Sequence, residues 1–171
     1  RGCGLEEPTR KERSVVSLQE AVQQFLSKKR IAVAGVSRDG RAVGNIICKK
    51  LRGAGYEVFP VNPNTTEIDG ARCYPDLRSI PGGVEAVVVA THPSATDRVV
   101  RECADLGVTL VWIHRSFGAG SLSKEAVDYG RMRGLTVIDG ACPMMFVEPV
   151  DIGHKCFRWV LRWTGGLPTH A

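Results

Sequence analysis

The sequence predicts a doubly wound α/β domain, with a mostly parallel five-stranded sheet and helices on both faces. Three observations predict it. Short β-rich runs alternate with amphipathic helical segments along the chain. The runs are almost continuously apolar, as in Val84-Glu85-Ala86-Val87-Val88-Val89-Ala90, which is how parallel strands buried on both faces read. Glycines at 53, 55, 107 and 134 each follow a helical segment and precede a strand, where a left-handed C-terminal cap belongs.

The elements follow in order. Ser17-Leu18-Gln19-Glu20 is a capping box, and Leu18, Val22, Phe25 and Leu26 continue it at helical spacing. That helix is expected to stop near Lys28-Lys29-Arg30, where cations suit the negative end of the macrodipole. Strands are read at 31–35, 56–61, 84–90, 108–113 and 135–138, and helices at 43–53, 94–106 and 121–133, with a helical turn at 76–79. Residues 62–75 form a long irregular connection with Asp69-Gly70 as its turn. The expected strand order is 3-2-1-4-5. Ile152, Cys156, Trp159, Val160 and Trp163 recur at helical spacing, so a last helix docks on the domain or on a second subunit.

At 171 residues and 43% hydrophobic, the chain suits one core. Residues 1–14 are read as weakly ordered, 15–147 as the domain and 148–171 as a helical extension. The absence of an initiator Met points to an internal start. No apolar run approaches the roughly 18–20 residues of a membrane span, and residues 1–30 are too polar for a secretory signal. Charge is uneven: residues 1–30 carry seven Lys/Arg against four Asp/Glu, 31–151 thirteen against fourteen, and 152–171 three against none. The basic residues therefore sit on the flanks and not on a folded stripe, which argues against nucleic acid. Six cysteines without a C-x-x-C pair or metal spacing imply thiols in a reducing cytoplasm and no metal site.

Chemistry gathers at the strand ends. Gly35-Val36-Ser37-Arg38 closes the first strand before a helix, which aims backbone N–H groups at an anion such as a phosphate. The dinucleotide pattern G-x-G-x-x-G is broken by Ser37, and the second strand ends in Asn62-Pro63, not in an acid for a ribose hydroxyl. Thr91-His92-Pro93-Ser94 follows the third strand, with Ser94 or Thr91 as helix cap and Pro93 as a flat wall for an adenine. His92 and His114 titrate near neutrality, yet neither has an acid at a spacing that ensures pairing. Cys142-Pro143 places a thiol after the last strand.

Ile31–Ser37, Gly55-Tyr56-Glu57-Val58-Phe59-Pro60-Val61-Asn62-Pro63, Gly70-Ala71-Arg72-Cys73-Tyr74 and Gly140-Ala141-Cys142-Pro143 together resemble the CoA-binding domain family, small relatives of the CoA-binding domain of succinyl-CoA synthetase α subunits. The resemblance covers residues 17 to 147. It implies a Rossmann-like fold, coenzyme A or an acyl-CoA as ligand, and the loops near Ser37, Asn62 and Pro93 as the binding shell; the expected site is then Gly35, Val36, Ser37, Arg38, Asn62, Pro63, Thr91 and Pro93, with the pantetheine arm running across the sheet edge towards Cys142. The synthetase takes its phosphorylated histidine from a further domain, so the expected role is binding without catalysis. Two rivals stand beside it: an NADP-linked oxidoreductase using Arg38 or Arg41, and an interaction module that forms a homodimer through the last helix. Neither nucleic acid nor membrane is expected as a partner.

Overall fold

The computed structural model describes residues 16–115, 120–150 and 152–163; the expectations for residues 1–14 and 164–171 lie outside the described residues. The chain runs α1 (Leu18–Leu26), β1 (Arg30–Ala34), α2 (Val43–Gly53), β2 (Glu57–Val61), β3 (Glu67–Ile68), β4 (Ala71–Arg72), β5 (Ala86–Val89), α3 (Pro93–Asp105), β6 (Leu110–His114), α4 (Lys124–Met132), β7 (Thr136–Ala141), a 3-10 turn (Pro143–Met145) and α5 (Ile152–Trp163).

The five long strands pair in parallel in the order β2-β1-β5-β6-β7. In the counting used for the sequence this is 2-1-3-4-5, and it corrects the expected 3-2-1-4-5. The third long strand does not extend the β2 edge. The connection from 62 to 85 crosses over β1, and β5 pairs with β1 through Ile31–Ala34 and Ala86–Val89. On the way it forms the β3–β4 ribbon, whose Asp69-Gly70 turn has both residues at positive φ, and Tyr74 bridges to Val61.

Alternation along the strands sorts two cores. Ala32, Ala34, Val87, Val89, Val111, Ile113 and Val137 face Val99, Val100 and Cys103 of α3 and Ala126 and Val127 of α4. Ile31, Val33, Ala86, Val88, Leu110, Trp112 and Ile138 face Ala21, Val22 and Phe25 of α1 and Ile47, Cys48 and Leu51 of α2. Trp112 anchors the second core: its ring meets Phe25 edge-on at 5.2 Å, and its indole N–H donates to Ala141 O at 3.0 Å. Burying such a side chain contributes roughly 3 kcal/mol, and the N–H partner avoids an offsetting penalty.

Local differences have local causes. The capping box forms as read, but α1 ends at Leu26 with no cation in its last turn; Arg30 instead opens β1 and donates to Pro81 O, Gly83 O and Glu57. Gly55, Gly107 and Gly134 take positive φ, whereas Gly53 is still helical. α4 starts at Lys124 because Ser123 caps it by accepting from Ala126 N. Residues 76–79 are a turn and not a helix, tied by Ser79 N donating to Asp76 Oδ1 at 2.8 Å. Cys48 and Cys103 are buried, as expected of small hydrophobes, and burial pushes the Cys48 thiol up to about 12.

Candidate functional site

With β5 beside β1, the chain reverses its direction of winding between these two strands, and the crevice outside their carboxyl ends is where such sheets hold ligands. A cleft of about 1000 Å³ lies there, at the upper end of small-molecule sites. Its lining comes from the segments after β1 (Gly35, Ala42), β2 (Asn62–Asn64) and β5 (Ala90–His92), from the turn at Pro75–Arg78, and from one side of α3.

Close backbone approach shapes the crevice. Gly35 has φ +99°, and a Cβ there would lie 2.3 Å from Ala90 O, so only glycine lets the β1 loop touch the β5 loop. A Cβ on Gly44 would lie 2.6 Å from Gly35 O, so the first turn of α2 presses on the same loop. Gly44 was not among the expected site residues; a glycine in the first turn of a helix, where alanine is favoured, is the signal that marks it.

The loop between them is held by a buried amide. Asn45, fully buried, accepts from Ser37 N at 2.8 Å and donates to Ser37 O at 3.0 Å. The Ser37 hydroxyl donates to Asp39 Oδ1 at 2.5 Å and accepts from Ala42 N at 3.1 Å. That hydroxyl, followed by the Arg41 N–H, holds the Asp39 carboxyl below its ordinary range. Ala42 occupies the N-cap of α2 and has no side chain that could accept from the first-turn N–H groups, while Ala42 itself lines the cleft. The positive end of α2 thus carries no side-chain cap.

The expected residues divide. Gly35, Asn62, Pro63 and Thr91 line the cleft. Asn62 crosslinks two loops, donating to Val36 O at 2.6 Å and accepting from Asn64 N at 2.8 Å. Arg38 lines a smaller hollow with Pro63 and Thr65, its guanidinium donating to Asn64 O at 2.6 Å. Val36 is buried, and Ser37 is occupied in the loop. Pro93 is the first residue of α3 and does not line the cleft; the cap is His92, whose Nδ1 accepts from Ser94 N at 3.3 Å, where Ser94 or Thr91 was expected. Cys142 is buried after β7, the far edge strand, away from the cleft lining. His114 ends β6, 3% exposed, and burial lowers its pKa.

Sequence reasoning missed the charged wall. Arg98, Arg101, Glu102 and Asp105 of α3 and Arg78 opposite all line the cleft. Arg101 pairs with Asp97 at 2.7 Å and Arg78 with Asp105 at 3.3 Å, and Glu102 accepts from Leu77 N and Arg78 N. Among the described residues Arg98 has no acidic partner, and the buried Oδ1 of Asp97 lacks a donor. The spacing of 98, 101, 102 and 105 reads as an ordinary solvated helix face, which is why it carried no signal.

A family profile described as a CoA binding domain matches residues 29–148. The chain belongs to the CoA-binding domain family. Within it, the chain is 29% identical to the protein YneT of Bacillus subtilis (strain 168), over 75% of this chain and 90% of that one. It is also 29% identical to the ADP-forming acetate–CoA ligase II subunit alpha of Pyrococcus furiosus, over 69% of this chain but only 27% of that subunit. Among solved structures, a hypothetical protein from Pyrococcus horikoshii OT3 superposes with a TM-score of 0.69 at 30% identity, covering 84% of this chain and 98% of that one. The apo dinucleotide-forming acetyl-coenzyme A synthetase 1 of Ca. Korarchaeum cryptofilum superposes with a TM-score of 0.55 at 28% identity, covering 63% of this chain and 25% of that one. The family's Rossmann-like fold is therefore this chain's fold.

Proposed function

We propose that this chain binds coenzyme A, or an acyl-CoA, in the switch-point cleft and does no chemistry on its own. One observation carries the reading: a helix N-terminus without a side-chain cap opens on a cleft of nucleotide size in a member of a CoA-binding family. The pyrophosphate sits against the first turn of α2, beside the Gly35 loop. The adenosine lies against Asn62-Pro63 and Thr91. Arg98 supplies a cation for a phosphate, and the donor-less Oδ1 of Asp97 suits an amino group of the base.

Isothermal titration with CoA tests this. Saturable heat is expected, and Arg98→Ala should weaken binding roughly tenfold, the size of one charge-assisted hydrogen bond. Absence of heat at roughly millimolar CoA, where even weak specific ligands bind, would reject the reading.

A further inference from the structure

Among the described residues, α5 meets the domain through Arg158 beside the 3-10 turn. Arg158 donates to Met145 O at 2.9 Å and lies over the Phe146 ring at 5.6 Å, and both His154 and Arg158 are half-buried. At 100° per residue, Ile152, Cys156, Trp159 and Trp163 fall within an arc of about 60° turned away from that contact. They are exposed: Ile152 by 80%, Trp159 by 62% and Trp163 by 81%, and the two indoles stack at 5.6 Å. Two tryptophans in this state leave several hundred Å² of apolar surface in water, the size of patch that marks an interaction site.

The charges select the occupant. Residues 152–163 carry Lys155, Arg158 and Arg162 and no carboxylate. By helical register, Lys155 flanks the tryptophan stripe. A second copy would set these cations against their own kind, with no acid on the helix to answer them. A surface of anionic lipid answers the exposed Lys155 beside the stripe. A stripe of Trp and Ile beside Lys and Arg, on a helix near 18 Å long, is suited to lying in a bilayer interface and is too short to cross one. Among the described residues no helix is long and apolar enough to span a membrane. The expectation of no membrane partner rests on that missing span, which an interfacial helix does not need.

We propose that α5 seats its Ile152–Trp159–Trp163 stripe in the headgroup region of an anionic membrane and so holds the domain at the surface. The inference is independent of what fills the cleft. The chain makes its own reporter, since Trp112 is fully buried and only Trp159 and Trp163 can change their solvent.

The test mixes the intact chain, without CoA, with vesicles of phosphatidylcholine containing roughly one-third phosphatidylglycerol, and with pure phosphatidylcholine vesicles. Expected are co-flotation and a blue-shifted tryptophan emission with the anionic vesicles alone, both reduced at about 0.5 M salt. Lys155→Ala should weaken partition about fivefold, and the pair Trp159→Ser with Trp163→Ser should abolish it while leaving the thermal melt unchanged. Three results would overturn the proposal: equal binding to both vesicle types, binding that survives loss of both tryptophans, or no flotation. Light scattering then separates a second copy from an acidic protein partner as the true occupant.

Discussion

Two helices begin at the same crevice, α2 after β1 and α3 after β5, and their first turns are built in opposite ways. α3 satisfies its first turn with its own residues: His92 accepts from Ser94 N, and Pro93 has no N–H to satisfy; the third N–H donates to the cap carbonyl in both helices, Ala95 N to His92 O and Asn45 N to Ala42 O. α2 has Ala42 at its cap, and its loop spends Ser37, Asp39 and Asn45 on each other. A helix that needs only to fold caps its own end. One without a side-chain cap keeps N–H groups of its first turn unsatisfied at some cost in stability, and the glycines beside it let the β1 loop pack against β5 and α2.

The largest effect is expected where both loops meet. Gly35→Ala drives a Cβ into Ala90 O at a φ that alanine resists, so it should cost about 3 kcal/mol or more and remove CoA binding together with the fold; thermal melts and titration read both. If the variant melts like the parent, the close approach of the two loops does not govern the site.

The sharpest contrast comes from changing the caps. Ala42→Asp should raise stability by about 1 kcal/mol while weakening CoA at least tenfold, because the carboxylate takes the anion's place. His92→Ala should instead lose about 1 kcal/mol of stability, because it removes the cap of α3. A stabilised Ala42→Asp protein with full affinity would refute the assignment of the open terminus to the ligand.

The smallest effect is in acid. Asp39 is held below its ordinary pKa in the folded loop, so its stabilising contribution is complete above the unfolded value and fades as pH falls through the folded one. The Asp39→Asn variant should melt below the parent at neutral pH and converge with it as pH falls below the ordinary carboxylate range, in a pH series of melts.

Much of this was legible. α2 spans the residues its Val43, Ile47 and Leu51 spacing indicated, and Gly35, Asn62, Pro63 and Thr91 reach the cleft because strand ends in parallel sheets gather at one edge. The strand order was not legible. Whether β5 pairs with β1 or β2 depends on contacts between residues some 55 positions apart, which no local pattern encodes. Cys142 was placed near the ligand by the same edge rule, but that rule does not say that β7 lies three strands away from β1. The wall on α3 was invisible for a different reason: a charged helix face looks the same whether it meets water or a cleft.

The β2-β1-β5 order also sets when the crevice comes into being. The segment from β1 to β2 is a complete strand–helix–strand unit with its own parallel pairing, able to gather as soon as residue 61 is made. It then holds one wall and an open helix end but no opposite side. That side arrives only when Ala86–Val89 docks against Ile31–Ala34 across the long crossover, a late, non-local step of the kind that slows folding. Until then Gly35 has nothing to press against, and a nascent or truncated chain ending before β5 has the Gly35 loop and the α2 terminus but no pocket.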